Sequence, residues 1–431
     1  MVLYYHRFSI ERQKERIYEL AKRNVQNTPT IKQLYIANER LHLIMQLTRE
    51  EEKAISGEYG EANAMAYRIL VAIGEATDAQ NLIPIKWAHV SGVNYNTIGD
   101  SGLNFLRKIS EDGGRISVKS SLNPMGFDRR NTPDLPQDFI DKQLEITTYY
   151  ERIGITPTFS CIPYEILPIP ESGTQVSFAE SNAAVLANSH LNLITNKESA
   201  LSALASAIVG KAPYSDLRTE EYRDPTTEIV NESNIENELD YGLLGYFIGK
   251  TMKKSCTGLC NLSKKTDFWN IKSLSAGIGT SGSCGMYKIK EPSNNNEKIS
   301  FGDKEFKETR DELNTSEDGQ IITFGSPQLG FEEICKISTL IEGKKFTKPC
   351  KIFCPRSVFN KSEECGISSM LQKSGVEFIC DACTCLTPLI KKENYDSIIT
   401  NSVKAAYYMK TSNKVSVALK DVKTIVKDYS N

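Results

Sequence analysis

The feature that most constrains the fold is an alternation of short apolar runs with amphipathic stretches. Predicted strands at residues 82–85 and 115–118 alternate with predicted helices at residues 99–109 and 136–152. The same alternation returns in the part of the chain that follows Gly325. Short strands separated by helices are typical of parallel sheets joined by helical crossovers. The sequence therefore predicts an α/β fold with parallel or mixed sheets flanked by helices.

Length and local composition predict how the chain is divided. A chain of 431 residues is long enough for about two or three hydrophobic cores. Residues 293–318 are rich in Asn, Ser, Lys and Glu, a composition typical of a solvated loop or a domain boundary. We divide the chain into a basic, mostly helical N-terminal extension at residues 1–44, a core at residues 45–315 and a C-terminal α/β domain at residues 316–431.

The composition argues against several classes of protein. Lys and Arg number 52 against 54 Asp and Glu, a formal net charge of −2, so neither a nucleic-acid partner nor a membrane partner is expected. No run approaches the about 18 consecutive apolar residues that a membrane span needs. The N-terminus carries no apolar core followed by a small-residue cleavage site, so we predict no secretory signal. Eleven cysteines in such a chain indicate a reducing compartment, and we expect a cytoplasmic protein.

Polar residues gather directly after two of the predicted strands. In open α/β sheets ligands bind beyond the carboxyl ends of strands, so these residues are candidates for a site. Each of them alone is equally well explained as an ordinary loop residue, and a lone histidine is more often structural than catalytic. The candidates are Lys86, His89, Ser91 and Gly92 after the first strand, and Asn123 and Pro124 after the second.

A further group of polar candidates lies on and after a predicted helix that starts near residue 181. Helix N-termini favour anions, and Asn and Thr side chains can orient a carboxylate or a phosphate. A simple helix cap would explain the polar residues at its start equally well. The candidates in this group are Glu180, Asn188, Thr195 and Asn196.

The cysteines allow two different kinds of metal site. Cys350, Cys354, Cys380 and Cys383 have spacings that permit structural zinc, although the first two would lie at either end of a short strand. Alternatively, Cys161 and Cys383 would meet at neighbouring strand ends and bind an iron–sulfur cluster. Spacing does not test this second interpretation, because ligands drawn from separate loops need no fixed interval.

Eight blocks of sequence after Met45 form an ordered set. They are LTREEEKAISGEYGEA (47–62), IPIKWAHVSGVNY (83–95), LNPMGFD (122–128), TFSCIPYEI (158–166), ESNAAVLANSHLNLITNKES (180–199), GKAPY (210–214), DAC (381–383) and TNSVKAAYY (400–408). Together they resemble the aconitase X family. Eight blocks in one order are far more specific than any single block.

The resemblance implies an aconitase-like multi-domain α/β fold around a [4Fe-4S] iron–sulfur cluster, and a dehydratase rather than an isomerase. Two activities occur in the family. Single chains remove water from cis-3-hydroxy-L-proline, whereas a large subunit paired with a small swivelling subunit dehydrates (R)-mevalonate 5-phosphate to trans-anhydromevalonate 5-phosphate in archaeal isoprenoid biosynthesis. Because the chain ends shortly after residues 400–408, the resemblance implies the large subunit of such a heterodimer, acting on a small phosphorylated hydroxy acid.

The resemblance also implies the cluster ligands. The three family positions correspond to Cys161, Cys383 and Ser326, and the serine would have to bind iron as an alkoxide, a harder and rarer ligand than a thiolate. Cys284 is an alternative third ligand, although simple packing would also explain it. Three protein ligands leave one iron open as a Lewis acid for the leaving hydroxyl, while a base, expected from the partner subunit, removes the proton next to the carboxylate.

The remaining positions carried over from the family line a substrate pocket. Arg356 and Lys404 are expected to contact an anion, since both cations suit a carboxylate or a phosphate, and His89 or Ser91 to orient the substrate. The other expected lining residues are Lys86, Gly92, Asn123, Pro124, Glu180, Asn188, Thr195, Asn196, Asn401 and Ser402. Departures from the family pattern at Ser326, Arg218 and Tyr222 leave open a second interpretation, a catalytically degenerate paralogue that serves as a binding or scaffold subunit.

Overall fold

Sheets of parallel strands form the framework of the computed structural model, which describes residues 45–131, 134–263, 266–385 and 387–431. The predicted helical extension at residues 1–44 lies outside the described residues. Among the residues described, no helix is long and apolar enough to cross a membrane. The prediction of an α/β fold with parallel and mixed sheets flanked by helices is confirmed.

The first part of the chain contains a three-stranded parallel sheet and a two-stranded antiparallel ribbon. Its elements are α1 (Arg49–Ser56), α2 (Glu61–Ala76), β1 (Leu82–Pro84), β2 (Trp87–Val90), α3 (Tyr95–Glu111), β3 (Lys119–Leu122), α4 (Gln137–Ile153), α5 (Pro163–Ile166), β4 (Val176–Phe178), α6 (Ser181–Ser189), α7 (Ala200–Val209), β5 (Lys211–Pro213) and α8 (Glu220–Arg223). The parallel sheet has the order β3-β2-β4, and β1 pairs with β5. Both outer strands therefore pair with the central β2.

Of the two strands predicted in this part, one is present but pairs differently and the other is displaced along the chain. The run at residues 82–85 forms the ribbon strand β1, and the parallel strand is the next one, β2. The strand predicted at 115–118 is β3, which begins at Lys119. The physical reason is that all four residues of β2 are buried although one of them is His89, so the buried strand does not have the purely apolar sequence that the prediction required.

The second part of the chain has a four-stranded, all-parallel sheet with the order β8-β7-β6-β9. Its elements are β6 (Thr227–Asn231), α9 (Glu238–Thr251), β7 (Cys256–Cys260), α10 (Phe268–Ser281), β8 (Met286–Ile289), β9 (Glu297–Phe301) and α11 (Asp303–Leu313). The solvated loop predicted at residues 293–318 is wrong in part, because β9 and α11 lie within it. Their polar composition reflects an edge strand and a largely exposed helix, of which only Thr309 and Leu313 are buried.

Glycines allow the two long helices of this part to pack very closely. A Cβ atom on Gly277 of α10 would lie 2.3 Å from the carbonyl oxygen of Gly242 in α9, and one on Gly279 would lie 2.8 Å from the backbone of Ser181. Such distances are accessible only without a side chain. Helix α10 therefore lies directly against the first turn of α6, the helix that Glu180 caps.

The third part of the chain is a five-stranded parallel sheet with the order β12-β11-β10-β13-β14. Its elements are β10 (Ile321–Phe324), α12 (Phe331–Ile341), β11 (Cys350–Cys354), α13 (Arg356–Glu364), α14 (Ile367–Lys373), β12 (Val376–Cys380), β13 (Ser397–Thr400), α15 (Val403–Tyr408), β14 (Ser416–Leu419) and α16 (Val422–Tyr429). The first strand of this part, β10, is central, so the strand order reverses between β10 and β13.

Candidate functional site

A crevice lies where the strand order of the five-stranded sheet reverses. In open parallel sheets, the loops that follow the two strands at such a point diverge and leave room for a ligand. Gly325 and Ser326 follow β10, and Asn401 and Ser402 follow β13. The Ser402 hydroxyl donates to the backbone carbonyl of Ser326 and accepts a hydrogen bond from the Ala405 backbone N–H at 2.9 Å. The two loops are thereby joined at the mouth of the crevice.

Three cysteine sulfurs meet at this crevice. Cys161 lies on the loop before α5, and Cys383 and Cys385 lie on the loop after β12. Cys383 is hydrogen-bonded to both other cysteines, and its Sγ lies 3.1 Å from the carbonyl oxygen of Gly325. The Ser326 Oγ lies 2.6 Å from the Cys385 Sγ. The structure therefore brings the predicted trio of Cys161, Cys383 and Ser326 together and adds a third sulfur that the sequence analysis did not select.

Gln328 ties the two cysteine loops to the end of β10. Its backbone N–H donates to the Cys161 Sγ at 3.1 Å, and its side-chain Oε1 accepts from the Cys161 backbone N–H at 3.2 Å. Its side-chain Nε2 donates to the carbonyl of Ala382 at 2.7 Å. The side chain is fully buried, so these bonds fix the position of both loops. The sequence signal for this residue was its place two positions after Ser326.

A chain of hydrogen bonds runs from the three-stranded sheet to a buried carboxylate beside the sulfurs. The Trp87 Nε1–H donates to the Ser121 hydroxyl at 3.1 Å, so that hydroxyl is left to donate to His89 Nδ1, 2.8 Å away. The opposite ring nitrogen, Nε2, then carries the proton and faces Asn123 Oδ1 at 3.4 Å. The Asn123 amide donates to Glu180 at 3.0 Å. Every donor in the chain points toward the carboxylate of Glu180.

The carboxylate of Glu180 also forms a buried ion pair with the ammonium group of Lys404. Glu180 caps α6 next to the three-stranded sheet, whereas Lys404 is on α15 next to the five-stranded sheet. Burial by itself lowers the pKa of Lys404, but the ion pair with Glu180, together with the neighbouring sulfurs, raises that pKa above its ordinary value. Lys404 therefore stays cationic and places a positive charge next to the three sulfurs.

The sulfurs differ in their tendency to ionise. Hydrogen bonds from Cys161 and Cys385 hold the pKa of the Cys383 thiol well below its usual range. Burial raises the pKa of Cys161 and of Cys385. Thiolates are the form of cysteine that binds metals, and nearby cations favour them. The three thiols are therefore unequal, and the charge of Lys404 favours the ionised form of each.

The protonation state of His89 gives a testable prediction. The ring is fully buried, and burial lowers the pKa of His89 to about 4. We expect the ring to stay neutral between about pH 5.5 and 8, unlike an exposed histidine with a pKa of about 6.5. Below about pH 6.5 the histidine binds a proton in the unfolded chain but not in the folded chain. The free energy of unfolding therefore falls by up to about 1.4 kcal/mol for each pH unit, down to about pH 4.

Two measurements check this expectation. The NMR signals of the His89 ring should not move between about pH 5.5 and 8. In urea denaturation, the loss of stability on acidification should be smaller in His89→Gln than in the unchanged chain. A matched control is His190→Gln, because His190 is exposed and its partial burial lowers its pKa without holding the ring in the core. Titration of the His89 signals near neutral pH would contradict the prediction.

Other predicted residues also follow the carboxyl ends of the strands. The backbone carbonyls of Ser91 and Gly92, just after β2, accept hydrogen bonds from the Tyr150 hydroxyl at 3.3 and 3.1 Å. Pro124 follows β3 and is half-buried. The Asn401 amide donates to Glu238 at 3.3 Å. Contacts of these residues with a substrate stay predictions.

Lys86 lies at the opposite end of its strand from the site. It precedes β2 instead of following a strand, its side chain is exposed, and its backbone N–H donates to the carbonyl of Gln175. The expectation that it lines the pocket is therefore not met. The reason is the shifted strand boundary, since the true carboxyl end of this strand is at Val90.

Asn188, Thr195 and Asn196 are engaged within the fold. The Asn188 side chain donates to the carbonyls of Thr195 and Gly285 and accepts from the Thr195 backbone N–H and from Arg223. The Thr195 hydroxyl accepts from the backbone N–H of Phe178 at 3.1 Å and donates to the carbonyl of Asn196. The Asn196 amide donates to the carbonyl of Ser215 at 3.2 Å. The first two residues therefore join α6 to the following loop and have no group left for a ligand.

Arg356 forms ion pairs beside the loop that carries Cys383 and Cys385. Its guanidinium is paired with Asp128 and, at 3.1 Å, with Asp381, and the Asp128 carboxylate also accepts from the Cys380 backbone N–H. Both carboxylates contact Nη2, and the Nε–H has no hydrogen-bond partner among the described residues. Arg356 therefore helps to position the loop of Cys383, and its contact with an anionic substrate stays a prediction.

The zinc interpretation of the cysteines is wrong. Cys350 and Cys354 lie at opposite ends of β11, about 13 Å apart at the rise of a strand. Cys354 pairs with Cys380 across neighbouring strands, and Cys383 belongs to the other group of sulfurs. Within the described ranges, no three His, Cys, Asp or Glu side chains are arranged around a single metal ion. Cysteines that bind a cluster contact separate irons and do not have to converge on one point.

Cys284, the alternative third ligand, lies in a different core from the three sulfurs. It packs with the second part of the chain, and its thiol donates to the Met286 carbonyl at 3.3 Å. Cys161 and Cys383 belong to the core around α6 and β4, with Cys385 packed against it. Packing therefore explains Cys284.

A second buried charge cluster adjoins the crevice. The ammonium of Lys272, on α10, lies 2.8 Å from Glu165 and 2.6 Å from Glu333. Burial raises the pKa of Glu333 to about 7. A cavity of about 20 Å³, room for about one water, is lined by Lys272 and Glu333 on one side and by Ser326 and Lys404 on the other. The sequence signal for this cluster was Lys272 as the single charged residue of α10.

The amino-acid sequence matches the models of one protein family over nearly its whole length. The family models for the first, second and third domains of aconitase X match residues 44–221, 225–311 and 319–430. The described β6 and β10 begin within a few residues of the second and third matches. The boundary that the sequence analysis placed at residues 315 and 316 falls between α11 and β10.

Relatives and a solved structure agree with these matches. The chain is 36% identical to the phosphomevalonate dehydratase large subunit of Methanocaldococcus jannaschii, over 89% of this chain and 100% of that protein. It is 28% identical to the cis-3-hydroxy-L-proline dehydratase of Hypocrea jecorina, over 85% of this chain and 66% of that protein. The crystal structure of holo-form aconitase X from Thermococcus kodakaraensis superposes with a TM-score of 0.83 at 34% identity, covering 89% of this chain and 100% of that one. The chain therefore belongs to the aconitase X family.

Proposed function

We propose that the chain is the large subunit of a hydro-lyase that converts (R)-mevalonate 5-phosphate to trans-anhydromevalonate 5-phosphate. The observation that carries the proposal is the meeting of Cys161 and Cys383 with the buried pair of Lys404 and Glu180, at the carboxyl ends of two different sheets. Archaeal relatives named phosphomevalonate dehydratase large subunit match over their whole length at 35 and 36% identity. Relatives named for hydroxyproline are more distant, at 27 and 28%.

The residues present suit an iron–sulfur cluster of the [4Fe-4S] type. Cys161 and Cys383 would hold it, with Ser326 at the third family position. Thiolates are the preferred ligands of such clusters, and Lys404 offsets their charge. The hydroxyl of Thr384, between two of the cysteines, is buried and has no hydrogen-bond partner among the described residues. A bound cluster supplies an iron with an open position, which acts as a Lewis acid on a leaving hydroxyl group.

The chain's own residues orient the substrate. The ammonium of Lys404 is a cation at the crevice that suits a carboxylate or phosphate, and Glu180 holds it in place. The neutral His89 fixes the orientation of the Asn123 amide through the donor chain described above. Neither Glu180 nor His89 is free to remove a proton, because each is engaged in that chain. We therefore assign the general base to the small subunit of a heterodimer.

The compartment follows from the chemistry of the cysteines. All eleven lie among the described residues and all are free thiols. Thiols and iron–sulfur ligands persist in reducing surroundings. We propose that the enzyme works in the cytoplasm.

The test uses the full chain, loaded anaerobically with iron and sulfide and mixed with the small subunit of an archaeal phosphomevalonate dehydratase. We expect loss of water from (R)-mevalonate 5-phosphate, followed by NMR, and at least about a 100-fold lower rate when the small subunit is left out, since a general base contributes about that much. The control substrate is cis-3-hydroxy-L-proline.

Each alternative gives a different result. Water loss from hydroxyproline alone would contradict the proposed substrate and favour the other activity of the family. A loaded pair that turns over neither compound would favour the degenerate paralogue. Full activity without the small subunit would contradict the assignment of the base.

A further inference from the structure

We infer that Cys385 supplies the third thiolate of the site and takes the place of the serine at position 326. This inference rests on the cluster proposed above and concerns only which side chain completes its ligand set. It is drawn from the position of the third sulfur, which neither the family positions nor the spacing of the cysteines assigned.

The Cys385 sulfur lies directly beside the Ser326 hydroxyl. Cys385 is hydrogen-bonded to Cys383, and its Sγ lies 2.6 Å from the Ser326 Oγ. The sulfur of Cys385 therefore occupies the space directly beside the hydroxyl that it would replace. Cys383 contacts Cys161 and Cys385 together, so the three sulfurs form one group.

Two separate loops carry the three sulfurs. Cys383 and Cys385 lie two residues apart on the loop after β12, and their sulfurs contact each other. One loop can thus present two thiolates to the same space, while Cys161 supplies the third from a separate loop. The Cys385 side chain is partly buried, whereas Cys161 and Cys383 are buried.

Iron–sulfur clusters prefer a thiolate ligand to an alkoxide ligand. A serine hydroxyl binds iron only after losing a proton, and the resulting alkoxide is a harder ligand than a thiolate. Ser326 is buried, and its hydroxyl already has Cys385 as a partner. The Cys385 Sγ also lies 3.7 Å from the backbone carbonyl oxygen of Lys404, so the sulfur contacts both the loop of Ser326 and the helix α15. With both groups at the same place, iron would take the sulfur.

The test compares Cys385→Ala with Ser326→Ala in the full chain after anaerobic loading with iron and sulfide. Iron and acid-labile sulfide per chain, together with the visible absorption of the cluster, are the readouts, and circular dichroism checks that each apo variant is folded. We expect Cys385→Ala to bind at least about 10-fold less iron, since even the loss of an outer partner of a ligand costs about that much affinity. Ser326→Ala should bind as much iron as the unchanged chain.

Two further measurements make the result decisive. The double variant Ser326→Cys with Cys385→Ala should recover iron binding, because it moves the thiolate to the neighbouring position. Alkylation with iodoacetamide, followed by mass spectrometry, should modify Cys385 in the apo chain and spare it after loading, while the exposed Cys365 reacts in both states.

The outcomes separate this inference from the function on which it rests. Unchanged iron binding by Cys385→Ala, with loss in Ser326→Ala, would overturn the role of Cys385 and leave the cluster in place. Failure of the unchanged chain to bind iron and sulfide would overturn both. If Cys385→Ala is unfolded, protection of Cys385 from alkylation in the loaded, unchanged chain still decides the question.

Discussion

Cys383→Ala is expected to abolish cluster binding and to lower the rate of dehydration by at least about 1000-fold, since a Lewis-acid metal contributes several kcal/mol to transition-state stabilisation. Cys383 is the central sulfur, in contact with both Cys161 and Cys385. Its loss removes a ligand and separates the other two sulfurs. Iron content and the rate of water loss from (R)-mevalonate 5-phosphate, measured with the small subunit present, check the prediction.

The matched control for this variant is Cys365→Ala. Cys365 is an exposed free thiol at the end of α13, with no contact to the three sulfurs. It should leave iron content and rate unchanged. Equal activity of the two variants would show that Cys383 is not part of the catalytic centre, whatever else the three sulfurs do.

Lys272→Met is expected to destabilise the fold by about 3–5 kcal/mol at neutral pH, as breaking a buried ion pair usually does. The ammonium of Lys272 pairs with both Glu165 and Glu333, and the side chain is only 2% exposed. Methionine has a similar volume, so the expected loss comes from two carboxylates left without a cation. The free energy of unfolding in urea is the measurement.

The loss should shrink as the pH is lowered. Burial already raises the pKa of Glu333 to about 7 with Lys272 present, and removal of the cation raises that pKa further. Above about pH 7 the folded variant then holds a proton that neither the folded unchanged chain nor the unfolded chain, with a glutamate pKa of about 4.3, binds. The variant's free energy of unfolding therefore rises, relative to that of the unchanged chain, as the pH falls towards about 7.

Lys250→Met is the control for burial. The Lys250 side chain is 59% exposed and pairs with Glu312 at 2.6 Å on the surface. An exposed pair of this kind contributes about 0–1 kcal/mol, so the expected change is small. A Lys272→Met variant as stable as Lys250→Met at neutral pH would contradict the account given for the buried cluster.

Many residues of the candidate site were selected from the sequence alone. Cys161 and Cys383 were selected from the sequence blocks, and the structure brings them together with Ser326. Glu180, Asn123, His89 and Lys404 were also selected, but nothing in the sequence showed that they form one hydrogen-bonded chain. Which residues belong near a site depends on their chemistry, whereas their connection depends on distances.

The errors of the sequence analysis share a cause. Lys86 was assigned to the pocket because the apolar run before it was taken for the parallel strand, whereas pairing with β5 makes that run an antiparallel ribbon. The zinc interpretation grouped Cys380 with Cys383, but Cys380 pairs with Cys354 on the neighbouring strand β11. In each case the deciding partner is distant in the sequence, so no local pattern could reveal it.

The sequence by itself determined the α/β class, the family and the identity of the residues that carry chemistry, because hydrophobic periodicity and residue type are local properties. Only the tertiary structure decided that Cys385 lies beside Ser326, that Lys404 pairs with Glu180 across 224 positions of the chain, and that Lys272 is shared by two carboxylates. Such contacts form when the packing of sheets and helices brings separate loops to one crevice. They therefore depend on strand order and on close helix packing at glycines, neither of which is encoded in any single segment.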